Sequence, residues 1–266
     1  MRCRAIRQSD LPCLAALWLR CFEEKEEAVN LFFERNLLYT HAYLAEEDGA
    51  VIAAVYLIGC QLGGKPSHYL CGAATDPAYR RRGVMSALID FALRDAVDRG
   101  DCYSVLLPAN EGLYRFYARL GYADGGAVCS KAYTAQPSKE QFADAPGTEA
   151  LQRRCGGDKF LLWNNDNIQF AIEYYACYGA QVLRTDRLLA LYEQDGDRAE
   201  VFYALYQHLE ELKDLLYRRG VRRFTLTGSA GNPDLQGCEP LVCGMVKPLQ
   251  PDLPEQRGVY IGLTLS

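Results

Sequence analysis

The fold is decided by residues 73–88, which read Ala73-Ala74-Thr75-Asp76-Pro77-Ala78-Tyr79-Arg80-Arg81-Arg82-Gly83-Val84-Met85-Ser86-Ala87-Leu88. The apolar start predicts a buried strand, Asp76-Pro77 predicts a turn, and Arg-x-x-Gly stands where an amphipathic helix begins. The first turn of such a helix has free N–H groups and the positive end of the helix dipole. Gly83 adds no Cβ there, so an anion can reach the backbone. The stretch therefore predicts a phosphate-binding helix terminus.

This motif differs from two common phosphate-binding loops. It has neither the G-x-x-x-x-G-K-[ST] pattern of a P-loop nor the G-x-G-x-x-G pattern of a dinucleotide-binding fold. Its arginines, Arg80, Arg81 and Arg82, would raise the positive potential beside a bound phosphate. The same arginines could instead form only a solvated helix start, and the motif alone does not separate these two interpretations.

The residues around the motif predict alternating strands and helices over residues 1–135. The helix Gly83–Arg99 has apolar residues at three- and four-residue spacing, and Gly100 ends it. A Glu-Asp-Gly turn predicts a hairpin between strands Ala42–Glu46 and Ala50–Gln61. The other expected elements are strands Arg2–Arg7, His68–Thr75, Tyr103–Leu107 and Val128–Tyr133, and helices Leu11–Glu24, Ala28–Leu38 and Glu111–Leu120.

The second half of the chain repeats this order after a segment of different composition. Residues 136–156 contain Gln-Pro-Ser and Asp-Ala-Pro-Gly, which predict a linker with one helical turn. Residues 157–266 again predict strands and helices, including a long helix over Ala204–Arg219 and a closing strand over Tyr260–Leu265. We interpret the chain as two copies of one mixed α/β fold, of which the second is degenerate.

A second motif follows the strand expected after the first motif. It reads Asn110-Glu111-Gly112-Leu113-Tyr114-Arg115-Phe116-Tyr117-Ala118-Arg119-Leu120-Gly121-Tyr122. Together the two stretches resemble the GCN5-related N-acetyltransferases, the GNAT superfamily, whose motifs are Gln/Arg-x-x-Gly-x-Gly/Ala and Asn-x-x-Ala-x-x-x-Tyr-x-x-x-Gly-Phe. Arg80 and Gly83 match the first pattern, whereas Met85 stands where the family has a small residue. The resemblance implies a GNAT fold in residues 1–135, with acetyl-CoA as cosubstrate.

The resemblance also implies roles for single residues. Backbone groups of Ala73 and Thr75 would hold the pantetheine arm like an added strand, and Asn110 would contact the arm through its amide. The backbone N–H groups that would bind the pyrophosphate belong to Arg81, Arg82, Gly83, Val84, Met85 and Ser86. Tyr117 would protonate the departing thiolate, which leaves more easily when a phenol donates to it. An N–H of the fourth strand would stabilise the tetrahedral intermediate.

Several of these residues also have a purely structural interpretation. Asn110 could cap the helix that follows it, and Tyr117 could be a core tyrosine. The run Glu23–Glu27 predicts either a solvated surface or a carboxylate cluster that suits a cationic acceptor. The sequence identifies no general base.

The second half has no Arg-x-x-Gly motif. At the position compared with it, Arg198–Phe202, an acidic residue stands where a phosphate needs N–H groups and cations. We therefore expect one acyl-CoA per chain, and an acceptor-side role for residues 157–266. Tandem GNAT proteins of the enhanced-intracellular-survival type resemble this layout; the chain is shorter, and we expect it to lack their third domain. The aromatic residues expected either in the core or in a wall of the acceptor groove are Phe170, Tyr174, Tyr175, Tyr178 and Tyr203.

Composition excludes several classes of protein. The net charge of −5 is unlike that of basic nucleic-acid-binding domains, and the longest apolar run, Gly49–Cys60, is too short to span a membrane. Eleven cysteines without a Cys-x-x-Cys pair, and only three histidines, predict no metal site. We expect reduced thiols in a cytoplasmic protein.

The resemblance implies an N-acetyltransferase that moves acetyl from acetyl-CoA to a primary amine by direct attack in a ternary complex. The acceptor would be a small molecule or a peptide. The alternative is a non-catalytic acyl-CoA-binding or regulatory protein with the same fold. The sequence leaves the identity of the amine and the oligomeric state open.

Overall fold

The computed structural model describes residues 1–142, 146–157 and 159–264. In the first half of the chain the elements are β1 (Arg2–Ala5), α1 (Leu11–Cys21), α2 (Glu26–Arg35), β2 (Thr40–Glu47), β3 (Ala50–Leu62), β4 (Lys65–Thr75), α3 (Val84–Asp98), β5 (Tyr103–Leu106), α4 (Glu111–Arg119), β6 (Ala123–Asp124) and β7 (Ala127–Thr134). In the second half they are α5 (Thr148–Gly156), β8 (Leu161–Leu162), α6 (Asn165–Cys177), β9 (Gln181–Arg184), β10 (Leu188–Asp195), β11 (Arg198–Tyr206), α7 (Leu209–Arg218), β12 (Arg223–Gly228), β13 (Leu241–Val242) and β14 (Met245–Pro248). The protein is a mixed α/β structure built on two sheets.

Each sheet contains strands from both halves of the chain. The first sheet has the order β1-β2-β3-β4-β5-β14-β6, with β8 beside the end of β3. The second sheet has the order β13-β7-β12-β11-β10-β9. Strands β7 and β14 have exchanged sheets, because β7 pairs with β12 whereas β14 lies between β5 and β6.

The strand expected over Val128–Tyr133, within residues 1–135, belongs to the second sheet. The strand exists as β7, but its partners are β12 and β13. The two exchanging segments cross at Gly126, where an added Cβ would lie 1.7 Å from the carbonyl oxygen of Cys243. A side chain would overlap the crossing backbone, so only glycine fits. The boundaries 1–135, 136–156 and 157–266 therefore separate segments of the sequence. They do not separate the two sheets, because each sheet takes strands from both halves.

Other elements of the first half lie close to their predicted bounds. The helix after the phosphate-binding motif is α3, Val84–Asp98. The hairpin joins β2 to β3 through Asp48 and Gly49, which have φ angles of 51° and 82°. Local patterning therefore predicts these elements well, because each is defined by residues that are close in the sequence.

The second half departs further from its predicted elements. Arg198–Phe202 lies in strand β11, so its comparison with the phosphate-binding turn is wrong, and α7 begins at Leu209 rather than at Ala204. Residues 204–206 are all buried. Such a short apolar run is compatible with a helix or a strand when only the sequence is considered.

The predicted linker is partly helical. Helix α5 occupies Thr148–Gly156, whereas residues 143–145 of the predicted linker lie outside the described residues. Leu265 of the predicted closing strand lies outside them as well. Tyr260, at the start of that predicted strand, forms an isolated bridge with Phe160.

Cys129 and Cys238 form a disulfide with Cα atoms 5.9 Å apart, which corrects the expectation that all thiols are reduced. The two cysteines are 109 residues apart in the sequence. They meet because β7 has joined the second sheet next to β12. In the described ranges the other cysteines are free.

Two further kinds of feature are absent from the described residues. No helix there combines the length and the apolar character that a membrane span needs. In the same ranges, no group of three or more His, Cys, Asp or Glu side chains could hold a metal ion.

Helices cover both faces of the first sheet. On one face, α1 and α2 pack around Trp18, Phe32 and Tyr56, whose ring centroids lie 4.8–5.2 Å apart. On the other face, α3 and α4 pack against a cluster that includes Leu70 and Leu106. Strand β4 lies between these two layers, and its residues contribute to both.

Candidate active site

A cleft opens in the first sheet where β4 and β5 separate. The two strands run parallel and pair at three positions, of which Tyr69 with Val105 is the last. Strand β5 ends at Leu106, whereas β4 continues to Thr75. The edge of residues 70–75 on this side therefore faces no strand, and its backbone can pair with an extended ligand.

A bulge at Gly72 accompanies the separation of the strands. The register between β3 and β4 shifts between Ala54 and Tyr56, and Gly72 has a φ of 57°. An added Cβ at Gly72 would lie 2.6 Å from Trp18 and 2.7 Å from Tyr56. The sequence analysis missed this residue, although a glycine inside a strand pattern often marks a bulge.

Ala73 and Thr75, the residues expected to hold pantetheine, both lie on the open part of β4. The carbonyl oxygen of Thr75 already accepts hydrogen bonds from Arg80 Nε at 3.1 Å and from Cys21 Sγ at 3.4 Å. Neither Gly72 nor Ala73 has a register partner on β3. The backbone of Ala73 is therefore freer to bind a ligand than the carbonyl of Thr75.

The turn before α3 has the geometry of an anion-binding site. Arg81 and Gly83 have positive φ angles of 63° and 78°, and no side chain caps the helix. None of the backbone N–H groups of residues 81–86 donates to another group among the described residues. Ala87 N–H is the first that does, to the carbonyl of Gly83 at 3.1 Å. Successive free N–H groups at a helix N-terminus form a concavity that suits phosphate.

The space in front of this turn is open. An added Cβ at Gly83 would meet no atom within 4 Å. Met85, which departs from the family pattern, packs against the core under α3. Its side chain is therefore directed to the core, while the backbone of Val84, Met85 and Ser86 forms the first turn.

The three arginines differ in their freedom to contact a phosphate. Arg80 donates to the Thr75 carbonyl, and Arg82 pairs with Glu47 at 3.0 Å. Arg81 is exposed and forms no ion pair with the described residues. Arg81 is therefore the arginine whose charge is available without breaking an existing contact.

Asn110 caps helix α4, so the structural interpretation of this residue is confirmed. Its Oδ1 accepts the backbone N–H of Leu113 at 3.1 Å. The side chain is exposed, and its amide nitrogen donates to none of the described residues. The cap thus leaves the amide N–H groups free for a ligand, and the contact with pantetheine stays a prediction.

Tyr117 is a buried residue of α4, with 6% of its surface exposed. Its ring makes edge contacts with Phe116 and Tyr122, at centroid distances of 5.1 and 5.6 Å. Burial, and to a smaller extent the neighbouring Cys71 thiol, raises the pKa of Tyr117 to about 12. Tyr117 belongs to the same apolar cluster as Leu70 and Ala73 on the open part of β4, so it lies beside the cleft.

The hydroxyl of Tyr117 differs from that of an ordinary core tyrosine. It forms no hydrogen bond with the described residues. Two other polar atoms among these residues, Trp18 Nε1 and Tyr56 OH, are both unpartnered and buried from solvent, whereas the Tyr117 hydroxyl is not buried in this way. Tyr117 therefore combines core packing with a hydroxyl that can donate to a ligand. Its catalytic role stays a prediction.

The Glu23–Glu27 run follows α1, extends into the first turn of α2, and contacts the second half of the chain. Glu24 accepts hydrogen bonds from Tyr174 OH at 3.0 Å and from Tyr178 OH. Lys25 Nζ donates to the carbonyl of Cys177 at 2.6 Å. Part of this run therefore joins the two halves and is not a free carboxylate cluster.

The aromatic residues of the second half mostly serve packing. Phe170 lies against Phe32 of α2, with ring centroids 5.9 Å apart. Phe170, Tyr174 and Tyr203 are buried, and Tyr175 OH donates to the carbonyl of Thr264. Only Tyr178 of this group is exposed, and it bonds Glu24. None of the five is shown to face the cleft of the first sheet.

The second half repeats the separated strands without the free helix terminus. Strands β11 and β12 run parallel, and their last register pair is Val201 with Leu226. The helix after β11 has Glu210 and Glu211 in its first turn. Carboxylates at a helix N-terminus occupy the position that favours anions and repel a phosphate.

The N-terminal half of the chain matches a known family. Residues 2–124 match the family model described as an acetyltransferase (GNAT) domain. No curated protein sequence matches the chain significantly. The matched region contains β4, the turn before α3, Asn110 and Tyr117.

Solved structures share the fold over most of the chain. A probable N-acyltransferase from Enterococcus faecalis V583 aligns with a TM-score of 0.70 and 17% identity, over 93% of this chain and 72% of that one. A GCN5-related N-acetyltransferase from Kribbella flavida has a TM-score of 0.64 and 20% identity, over 92% and 70%. Eis1 from Mycobacterium abscessus has a TM-score of 0.65 and 14% identity, over 94% and 74%. The likeness concerns the fold, and it extends through both of the tandem GNAT-like domains.

Proposed function

The chain belongs to the GNAT superfamily, and on that premise we propose that it transfers the acetyl group of acetyl-CoA to a primary amine. One observation carries the proposal: the open strand edge of residues 70–75 is followed by the free N–H groups of residues 81–86. The first suits an extended pantetheine arm, and the second suits a pyrophosphate. The acceptor would be a small molecule or a peptide, not a nucleic acid or a membrane component.

The pyrophosphate, the pantetheine arm and the thioester of acetyl-CoA would each bind a different part of the cleft. The pyrophosphate would accept hydrogen bonds from the turn at residues 81–86, with Arg81 adding a charge-assisted contact. The pantetheine arm would extend along residues 70–75, beside the Asn110 amide. The thioester would then lie near the Gly72 bulge, where the Tyr117 hydroxyl bonds none of the described residues.

In the proposed reaction the amine nitrogen attacks the thioester carbonyl directly. A C–N bond forms, the C–S bond breaks, and the thiolate takes the proton of the Tyr117 hydroxyl. The amine releases its proton to solvent, and Tyr117 regains a proton from solvent. A backbone N–H of β4 near the bulge would donate to the carbonyl oxygen as negative charge develops there. Because its pKa is raised to about 12, Tyr117 keeps its proton at neutral pH.

The alternative is a non-catalytic acyl-CoA-binding protein with the same fold, since the sequence identifies no general base for the amine. A binding protein needs the cofactor cleft but no base for the amine. The two functions therefore differ in turnover and not in acetyl-CoA binding.

Release of CoA thiol separates the two functions. The full chain is incubated with acetyl-CoA and, in turn, spermidine, kanamycin, single amino acids and a peptide with a free N-terminus. Thiol release that depends on one of these amines, with the acetylated amine found by mass spectrometry, supports the transferase. Acetyl-CoA binding by calorimetry without thiol release for any amine supports the binding protein, and absence of binding overturns both.

A further inference from the structure

Four polar side chains form a continuous hydrogen-bonded chain under the cleft. Tyr122 OH lies 2.6 Å from Ser104 Oγ, and Ser104 Oγ lies 2.8 Å from His68 Nε2. His68 Nδ1 lies 2.7 Å from Asp101 Oδ2, and Arg99 pairs with the same carboxylate at 3.2 Å. Ser104 is fully buried and His68 is 1% exposed, so the chain runs through the core.

The hydrogen bonds of this chain have one consistent direction. Burial lowers the pKa of His68 despite the neighbouring carboxylate, so the ring is neutral and has one N–H group. With Asp101 as an acceptor only, His68 donates from Nδ1 to Asp101 and accepts at Nε2 from Ser104. Ser104 then accepts from Tyr122. Every donor in the chain has an acceptor, and each bond fixes the next one.

The hydrogen-bonded series of Tyr122, Ser104, His68 and Asp101 lies at the closed end of the cleft. His68 and Ser104 are register partners on β4 and β5, one position before the last pair. Leu70 and Leu106 lie two residues further along these strands. They belong to the same apolar cluster as Tyr117 and Tyr122. Side chains two residues apart on a strand share a face. The hydrogen-bonded side chains of His68 and Ser104 therefore lie on the same face of the sheet as Tyr117.

Tyr122 connects this chain to the candidate acid. Its ring makes an edge contact with the Tyr117 ring at a centroid distance of 5.6 Å, and its hydroxyl bonds Ser104. Lys247 Nζ lies 5.8 Å from the centre of the same ring. Tyr122 is thus held at its hydroxyl and at its ring, whereas no hydrogen bond from the described part of the protein orients the Tyr117 hydroxyl.

We propose that Tyr122, fixed through Ser104 and His68 to Asp101, is a positioning residue that sets the place of the Tyr117 hydroxyl in the cleft. This inference rests on the proposed function. Because the Tyr117 hydroxyl forms no hydrogen bond within residues 1–142, 146–157 and 159–264, the packing of its ring decides where the proton is donated. A displacement of the order of 1 Å is enough to reduce the rate of such a step by about 10²-fold.

Two other roles for the chain do not agree with its geometry. Asp101, His68 and Ser104 have the order of a hydrolytic triad, but Ser104 is fully buried and no substrate can reach its hydroxyl. The chain also does not deliver protons to Tyr117, because its donations run from Tyr122 towards Asp101. A positional role requires neither access to substrate nor proton transfer.

The test removes one hydroxyl at a time and measures kcat and KM with the best amine of the panel above. Tyr122→Phe should lower kcat by roughly 10-fold and leave the KM for acetyl-CoA unchanged, because the hydroxyl acts only on the placement of Tyr117. Ser104→Ala should act in the same direction. Tyr192→Phe is the matched control, since Tyr192 is equally buried and its hydroxyl donates to Gln181 in the second sheet.

A double-variant comparison separates positioning from a general loss of structure. In a Tyr117→Phe background, Tyr122→Phe should have no further effect on kcat, because there is no hydroxyl left to place. The inference would be overturned if the effects of the two changes on kcat multiplied, or if Tyr192→Phe caused an equal loss. The inference would also be overturned if the wild-type protein were active and neither Tyr122→Phe nor Ser104→Ala changed kcat. A wild-type chain that turns over no amine overturns the proposed function, and the positional role with it.

Discussion

The thiol of Cys155 bonds both backbone groups of Tyr206: it accepts the N–H at 3.3 Å and donates to the carbonyl at 3.4 Å. Tyr206 is the last residue of β11. This strand corresponds to β4 of the first sheet, because it too lies between an antiparallel and a parallel strand. Beyond Val201 the β12 side of β11 has no strand partner, and α5 packs against β11. The chain itself therefore covers the strand edge to which a second pantetheine arm would add.

We expect one acyl-CoA to bind per chain. The second half has α5 against β11 and acidic residues at the start of α7, whereas the first half has an open edge and free N–H groups. Calorimetric titration with a non-hydrolysable acetyl-CoA analogue gives the stoichiometry directly. Two sites of comparable affinity would contradict the covered edge.

Gly83→Asp should abolish acetyl-CoA binding without unfolding the protein. The new carboxylate would stand at the N-terminus of α3, where the pyrophosphate is expected, and would repel it. An aspartate at a φ of 78° costs roughly 1–2 kcal/mol in backbone strain, which a folded domain tolerates. The measurements are calorimetry with acetyl-CoA and the thermal unfolding midpoint.

Gly100→Asp is the control for this change. Gly100 follows the same helix, has a φ of 95°, and likewise has no atom within 4 Å of an added Cβ. It carries a similar strain at the opposite end of α3, away from the expected pyrophosphate. Binding should survive in Gly100→Asp, and unchanged affinity in Gly83→Asp would show that the cofactor site is elsewhere.

Tyr117→Phe should lower kcat by about 10²-fold with little change in the KM for acetyl-CoA. The hydroxyl is expected to act on the thiolate, which exists only after the C–S bond has begun to break. Steady-state kinetics on the purified variant checks this, with Tyr192→Phe in the second sheet as the control. An unaltered kcat would leave Tyr117 with a packing role only.

The contribution of the Tyr117 hydroxyl should not depend on pH between about 6 and 10. The protonated phenol is the active form, and burial raises its pKa to about 12. The benefit is therefore present below that pH and is lost only as the pH rises through it. The ratio of wild-type to Tyr117→Phe kcat, measured across the range, should stay constant. A ratio that falls with a midpoint near pH 8 would assign the acid to another group.

The sequence predicts the cofactor side of the site because its signals are local. Arg80 and Gly83 lie beside the helix that they introduce, and α3 begins one residue after Gly83. The capping role of Asn110 also follows from its position before α4. In such cases the residues that decide the structure are neighbours in the sequence, so spacing alone is informative.

Features that depend on distant partners could not be predicted in this way. The apolar pattern of β7 indicates a strand but does not say which sheet it joins, and the meeting of Cys129 and Cys238 follows from that choice. The hydrogen bonds of His68 and Ser104 depend on the register of β4 and β5. The place of Tyr122 next to Tyr117 depends on the turn between α4 and β6. These relations exist only after the sheets have formed.

Strand β14 supports the helix that carries Tyr117. The backbone N–H of Gly244, just before the strand, donates to Tyr114 OH at 2.8 Å. Lys247 Nζ donates to the carbonyl of Leu120, at the end of α4, at 2.6 Å. Both contacts come from the second half of the chain, so that half completes the domain that contains the cleft.

We therefore expect residues 1–140 expressed alone to lose amine acetylation. The fragment lacks β14, so the edges of β5 and β6 that pair with it become exposed, and α4 loses both contacts. Co-expression with residues 141–266 should restore thiol release, because the missing strand is supplied in trans. Lys247→Met in the full chain is the control that removes one contact and keeps the strand, and it should retain the fold with a smaller loss of kcat. Full acetylation by residues 1–140 alone would show that the exchanged strand is not needed by the cleft.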